Sequence, residues 1–192
     1  MSAATQPLPA LDARRARLRA IIQQKSLLVA GNEPFVLASG RTSRYLIDLK
    51  PSVFDPEGAN LIGALLYEKL ARAEIDVVGG MESGGIPLVA LVVQHSVTAQ
   101  GLPGFFVRKQ SKDHGAKKRI EGVLPPLARV ALVEDVTTTG GSVMQAVDAV
   151  REAGGRVVQI VTVVDRLEGA RDNLEAHGIR LDAILTRADF GL

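Results

Sequence analysis

The sequence predicts an α/β protein with a central, mainly parallel sheet flanked by helices, and three observations predict it. Short apolar runs rich in β-branched residues, such as Val130–Val133 and Val157–Val164, alternate with segments of helical period. Turns bearing glycine or acidic residues fall where these strands end, which is where ligands gather in parallel sheets. With 46% hydrophobic side chains, the 192 residues supply one sizeable core and leave little room for global disorder. One domain spanning 1–192 is the expectation.

The elements follow in order. Leu11 to about Leu27 predicts a helix with Leu11, Leu18, Ile21 and Ile22 on its apolar side and Arg14, Arg15, Arg17 and Arg19 as basic positions. A strand near Phe35–Ala38, a turn at Ser39-Gly40-Arg41 and a return strand over Tyr45–Leu49 complete a small N-terminal subdomain, a hood over about residues 1–50. Asp55-Pro56-Glu57 is a helix start, with a capping acid, a proline at the first helical position and an acid in the first turn. Leu61, Ile62, Leu65, Leu66 and Leu70 mark one face of that helix. A strand over Asp76–Gly80 leads through the glycine-rich turn Glu82–Gly85 into a helix from Pro87 to about Gln94. Phe105–Val107 is the next strand, and the basic stretch to Gly122 has no apolar periodicity and reads as a long mobile loop. Strand Val130–Val133, helix Ser142–Ala153 ending at Gly154-Gly155, and the central strand Val157–Val164 come next. A helix near Glu168–His177 and a strand near Leu181–Thr186 close the pattern.

Composition excludes several classes. There is no cysteine, hence no disulfide, thiolate metal site or cysteine nucleophile. No apolar run approaches the roughly 18 residues of a membrane span. The expected location is the cytoplasm. Net charge is +2, unevenly placed: Arg108–Arg119 holds six Lys/Arg against Asp113, so that segment carries +5 and the remainder −3. Such local charge favours a local anionic ligand over a broad nucleic-acid surface.

The most informative stretch is Val130–Met144, a buried strand, two carboxylates, a hydroxyl- and glycine-rich loop, then a helix. A helix N-terminus offers unpaired N–H groups and the positive end of a dipole to a phosphate. Gly140 and Gly141 admit close approach, and Thr137, Thr138, Thr139 and Ser142 add hydroxyl donors. Glu134 and Asp135 suit sugar hydroxyls, so the pattern asks for a sugar phosphate. No lysine follows the glycines, which excludes a Walker A loop, and G-x-G-x-x-G is absent. A tight turn with solvated threonines is the plain alternative.

In Arg108-Lys109-Gln-Ser-Lys112-Asp-His114, cationic and proton-bearing groups crowd a short span. Closing over an anionic leaving group, such side chains would stabilise its growing charge, and histidine can donate a proton near neutrality. A solvated charged loop is the alternative. Arg166, after the buried strand, is suited to bidentate pairing with a ligand carboxylate; a surface salt bridge with Asp165 or Glu168 competes with that reading.

Val130–Met144 resembles the 5-phosphoribosyl 1-diphosphate (PRPP) signature of type I phosphoribosyltransferases. Val107–Gly115 resembles the flexible catalytic loop of the orotate phosphoribosyltransferases, Leu37–Asp48 their hood segment and Val164-Asp165-Arg166 their late strand end. The resemblance runs from about Phe35 to Arg166 and implies the type I phosphoribosyltransferase fold. It implies PRPP contacts from Arg108, Lys109, Lys112, His114, Glu134, Asp135, Val136, Thr137, Thr138, Thr139, Gly140, Gly141 and Ser142, with Lys112, His114 and Asp135 catalytic. It implies a pyrophosphate loop at Ser83 and Gly84, and orotate held by Thr138, Arg166 and hood backbone groups. It further implies Mg²⁺ held mainly through PRPP and water with no direct protein ligand, and a homodimer in which the loop of about residues 108–121 serves the partner's site. No nucleic acid or membrane partner is expected. The implied reaction joins orotate and PRPP to give orotidine 5′-monophosphate and pyrophosphate, in pyrimidine (UMP) biosynthesis. Two positions depart from the pattern: some relatives carry lysine where this chain has Ala38, and some within the turn Glu82–Pro87. A transferase for another base and a PRPP-sensing regulator that binds nucleic acid are the other readings.

Overall fold

The computed structural model describes residues 10–36, 42–110 and 119–192. Helix α1 (Leu11–Lys25) buries Leu18, Ile21 and Ile22. It ends two residues before the expected Leu27, because Leu27–Val29 forms a strand, β1. Asp48 N–H donates to the Ser26 carbonyl (3.0 Å) and the Ser26 and Ser52 hydroxyls are 2.6 Å apart, so the chain leaves the helix to pair with the hood. Strands β2 (Phe35–Val36) and β3 (Thr42–Ser43) form one two-stranded ladder, while β4 (Tyr45–Ile47) pairs antiparallel with β1. A short helix, α2 (Lys50–Val53), follows; the sequence pattern does not predict it.

Helix α3 (Pro56–Leu70) starts as expected: the Asp55 carboxylate accepts the Gly58 N–H at 2.9 Å, a cap worth about 1 kcal/mol. Strand β5 (Val77–Met81), helix α4 (Gly85–Ser96) and strand β6 (Gly104–Val107) form a parallel β–α–β unit. Strand β7 (Ile120–Gly122) then runs back antiparallel to β6, so the region read as loop to Gly122 ends in a paired strand. Strand β8 (Arg129–Thr137), helix α5 (Gly141–Glu152), strand β9 (Arg156–Asp165), helix α6 (Ala170–Glu175) and strand β10 (Arg180–Thr186) complete the alternation, followed by a 3-10 turn at Arg187–Phe190.

The central sheet has the order β10-β9-β8-β5-β6-β7, and among its described strands only the β6–β7 pair is antiparallel. Its strands divide their side chains between two cores. Ala131, Val133, Val161, Val163 and Ile184 pack under α1, α3 and α4, whereas Val130, Leu132, Ile160 and Leu181 pack under α5 and α6. Alternation of this kind follows from the two-residue period of a strand. From β5 the chain proceeds to β6 on one side, and β8 lies on the other. The carboxyl ends of β5 and β8 are therefore the switch point where such a sheet opens a crevice.

Candidate active site

Three strand ends build the site. At the end of β5, Glu82 and Ser83 are joined by a cis peptide bond, and Gly84 leads directly into α4. A Cβ at Gly84 would lie 2.6 Å from Asp135 Oδ2, so the glycine is what lets this turn approach the β8 carboxylate.

The apolar run predicts that β8 stops at Val133, before the acids. The strand continues through them, since parallel pairing with β9 runs on to Thr137↔Asp165. The acids thus sit on rigid, sheet-paired backbone. Glu134 is buried, and its Oε2 has no hydrogen-bond partner among the described residues. Burial first, and neighbouring Asp135 second, push its carboxyl well above the usual range. Asp135 is half-buried, and its Oδ1 accepts the Val136 N–H at 2.8 Å.

After β8 the chain turns through Thr137–Gly140 into α5. Gly140 adopts φ 83°, which favours glycine, and no described side chain caps the first N–H groups of the helix. The Thr137 hydroxyl is buried without a partner among the described residues. The backbone of this cradle is pinned from the next crossover: Arg166 N–H donates to Thr137 O (2.9 Å), Ala170 N–H to Thr138 O (3.1 Å) and Asn173 Nδ2 to Thr139 O (3.0 Å). Unpaired donors at a helix start, on a fixed backbone, form an anion site.

Arg166, at the end of β9, is 5% exposed. Its Nε donates to the Tyr45 hydroxyl at 3.3 Å and its Nη2 to Ser43 Oγ at 3.4 Å, while the guanidinium covers the Tyr45 ring. Nη2 also lies 2.9 Å from Glu168 Oε1. The ion pair that competes with a ligand role is present, but buried under the hood rather than on the surface.

The structure brings together Ser83, Gly84, Glu134, Asp135, Val136, Thr137, Thr138, Thr139, Gly140, Gly141, Ser142 and Arg166 at the ends of β5, β8 and β9. Arg108 and Lys109 follow β6; Arg108 N–H donates to Arg119 O (2.8 Å), and Lys109 N–H to Glu82 Oε1 (2.5 Å), which ties Lys109 to the Gly84 turn. Lys112, His114 and Ala38 lie outside the described residues. Sequence reasoning misses Tyr45 and Ser43 as side-chain partners of Arg166, because it gives the hood a backbone role. It also misses Lys50, whose position beside the site depends on the unforeseen α2. Among the described residues no cluster of three or more His, Cys, Asp or Glu converges, and no helix is long and apolar enough to cross a membrane.

The sequence profile of the family described as "Phosphoribosyl transferase domain" matches residues 52–183. The matched span includes the turn at Ser83-Gly84, the two acids of β8 and the loop into α5. The chain is 46% identical over 185 residues to an orotate phosphoribosyltransferase of Bradyrhizobium diazoefficiens, covering 93% of this chain and 97% of that protein. To the orotate phosphoribosyltransferase of Aquifex aeolicus it is 45% identical, with 87% and 92% covered. The crystal structure of Mycobacterium tuberculosis orotate phosphoribosyltransferase with PRPP superposes with a TM-score of 0.77 at 35% identity, covering 93% of this chain and 99% of that one. This chain belongs to the orotate phosphoribosyltransferase family.

Proposed function

We propose that the chain transfers the ribose 5-phosphate group of PRPP to orotate, giving orotidine 5′-monophosphate and pyrophosphate, in the cytoplasmic synthesis of UMP. The observation that carries this reading is the hydrogen-bonded union of a phosphate cradle with a buried arginine: Arg166 N–H is bonded to Thr137 O, and its guanidinium faces the hood. Phosphate and carboxylate ends of one product are thereby addressed by adjoining pieces of backbone. Cytoplasmic placement is supported by the cysteine-free sequence.

Thr137–Ser142 and the start of α5 hold the 5-phosphate. Asp135 and Glu134 fix the ribose diol, and Asp135 stabilises positive charge as the C1–O bond breaks. The electron pair of that bond leaves on pyrophosphate, received by the Ser83-Gly84 turn and by Arg108 and Lys109. Arg166 and Thr138 orient orotate so that its deprotonated ring nitrogen meets C1 from the opposite face. Lys112 and His114 complete the charge and proton donation to the leaving group. A homodimer, in which the basic loop serves the partner's site, accounts for placing so much positive charge on one segment.

The donor set fits Mg²⁺. Mg²⁺ would be carried mainly by substrate phosphates and water beside the half-buried Asp135 carboxylate, while Glu134, whose burial favours the neutral acid, is no ligand. Bound there, Mg²⁺ would neutralise leaving-group charge.

The test is the loss of orotate absorbance when the protein is mixed with PRPP, Mg²⁺ and orotate. Turnover that requires all three, with no product from hypoxanthine, adenine or uracil in place of orotate, supports the reading. PRPP binding without orotate turnover sinks it.

A further inference from the structure

The turn that meets pyrophosphate, Glu82–Pro87, contains no lysine. Its charge balance is unfavourable for receiving an anion, because Glu82 lies within it and the Asp135 carboxylate abuts Gly84. A leaving diphosphate needs positive charge in this place.

The structure supplies a cation from another element. A cavity of about 110 Å³ is bounded by Leu49, Lys50, Val53, Phe54, Ser83, Gly84, Pro87 and Asp135. Lys50, the first residue of α2, is the positively charged side chain on its wall. The backbone beneath it is firmly held, because Leu49, Ser52 and Val53 are buried. The hydrogen bond and charge of Asp48 raise the Lys50 ammonium pKa, and Asp135 is close enough to add to that attraction, so Lys50 stays charged throughout the neutral range. The ammonium is bonded to Asp48 Oδ1 at 3.0 Å, with side chains 62% and 42% exposed. Exposed pairs of this kind are weak and yield readily to a stronger anion.

We propose that Lys50 binds the diphosphate of PRPP, its ammonium moving from Asp48 to the diphosphate oxygens over Ser83 and Gly84, in place of a lysine within the turn. The role rests on the function proposed above. It assigns the cation by geometry: an element adjacent in space, rather than the turn itself, carries the charge.

Calorimetry on the full chain tests it, with PRPP, inorganic pyrophosphate and orotate as separate probes. Lys50→Met is expected to weaken PRPP and pyrophosphate binding about tenfold, the scale of one hydrogen bond to a charged group, and to leave orotate binding unchanged. Lys50→Arg is expected to stay within about threefold of the parent protein. Asp48→Asn, which releases the ammonium, is expected to bind PRPP as tightly or tighter. Unaltered PRPP affinity in Lys50→Met overturns the proposal, as does equal weakening for PRPP and orotate, which marks a structural effect. If Lys50→Met does not fold, the Lys50→Gln and Lys50→Arg pair decides by the same criterion. Should the parent protein itself bind no PRPP, the functional reading fails, an outcome distinct from failure of the Lys50 role.

Discussion

The guanidinium carbon of Arg166 lies 4.5 Å from the centroid of the Tyr45 ring. The two residues come from distant parts of the chain, one from the hood and one from the end of β9. A cation over an aromatic face gains roughly 0.5–2 kcal/mol, more as water is excluded. Tyr45→Ala should therefore raise the KM for orotate by about 3- to 30-fold. The KM for PRPP should change less than about twofold, and steady-state kinetics with each substrate varied in turn checks the split.

Arg166 is also paired with Glu168 at 2.9 Å, their side chains 7% and 16% exposed. Truncating one partner of a buried ion pair costs stability. Arg166→Ala should abolish orotate binding and destabilise the protein by about 3 kcal/mol. Adding Glu168→Gln should recover much of that stability without restoring activity. Denaturant unfolding of the single and double variants measures it; equal midpoints for both would refute the coupling.

Gly84→Ala should spare the fold and damage the site. The added methyl would lie 2.6 Å from the Asp135 carboxylate, which must then move. A displacement near 1 Å in a reacting centre costs on the order of 100-fold in rate. We expect kcat/KM for PRPP to fall by about that factor with a nearly unchanged melting temperature.

Glu134 makes stability depend on pH in a definite direction. Its carboxyl is raised well above the usual range by burial and by Asp135, so the folded chain holds a proton that the unfolded chain releases. That contribution is full below the ordinary carboxylate value of about 4.5 and is lost as pH rises toward the folded value, by at most about 1.4 kcal/mol per pH unit. Glu134→Gln removes this slope. Unfolding midpoints of both proteins from pH 4 to pH 8 should diverge in favour of the variant as pH rises.

Asp76 acts with the opposite sign. Hydrogen bonds from the Arg129 side chain and then its backbone lower the Asp76 carboxyl to about 2. The folded form therefore gains above the unfolded carboxylate value, 3.8, and loses that gain as pH falls toward 2. Asp76→Asn should flatten the acid limb of a stability profile and lower the neutral plateau by the same, small amount, because the pair is solvent-exposed and screened.

Much of this architecture is legible in the sequence because the signals are local and strong. Asp55-Pro56-Glu57 starts α3 by side-chain chemistry that acts within four residues. The β-branched run at Val157–Val164 has a single outcome in a sheet covered on both faces. Where pairing rather than pattern decides, sequence is a poorer guide. Glu134 and Asp135 break the apolar run, yet β8 continues because β9 supplies its hydrogen bonds. Ile120–Gly122 is brief and shows no apolar alternation, and becomes a strand only through β6.

The same distinction separates the site residues. Thr137–Ser142 stands out as a candidate by composition, since hydroxyls and glycines before a helix suit a phosphate, with a plain tight turn as the alternative. The partners of Arg166 do not: Tyr45 stands 121 positions away, and its place over the guanidinium depends on how the hood folds back. Lys50 is equally silent in sequence, because its relation to Ser83 and Gly84 exists only once α2 has been placed beside the start of α4.

The register of β8 against β9 sets Thr137 opposite Asp165, one residue from Arg166, with no adjustable linker between them. In the roles proposed for them, the cradle and the arginine would work as a caliper with fixed jaws. A ligand would then be measured by the span between its two negative ends, and a chemist who inserts or deletes a single atom in that span should lose the fit however well each end is bound alone.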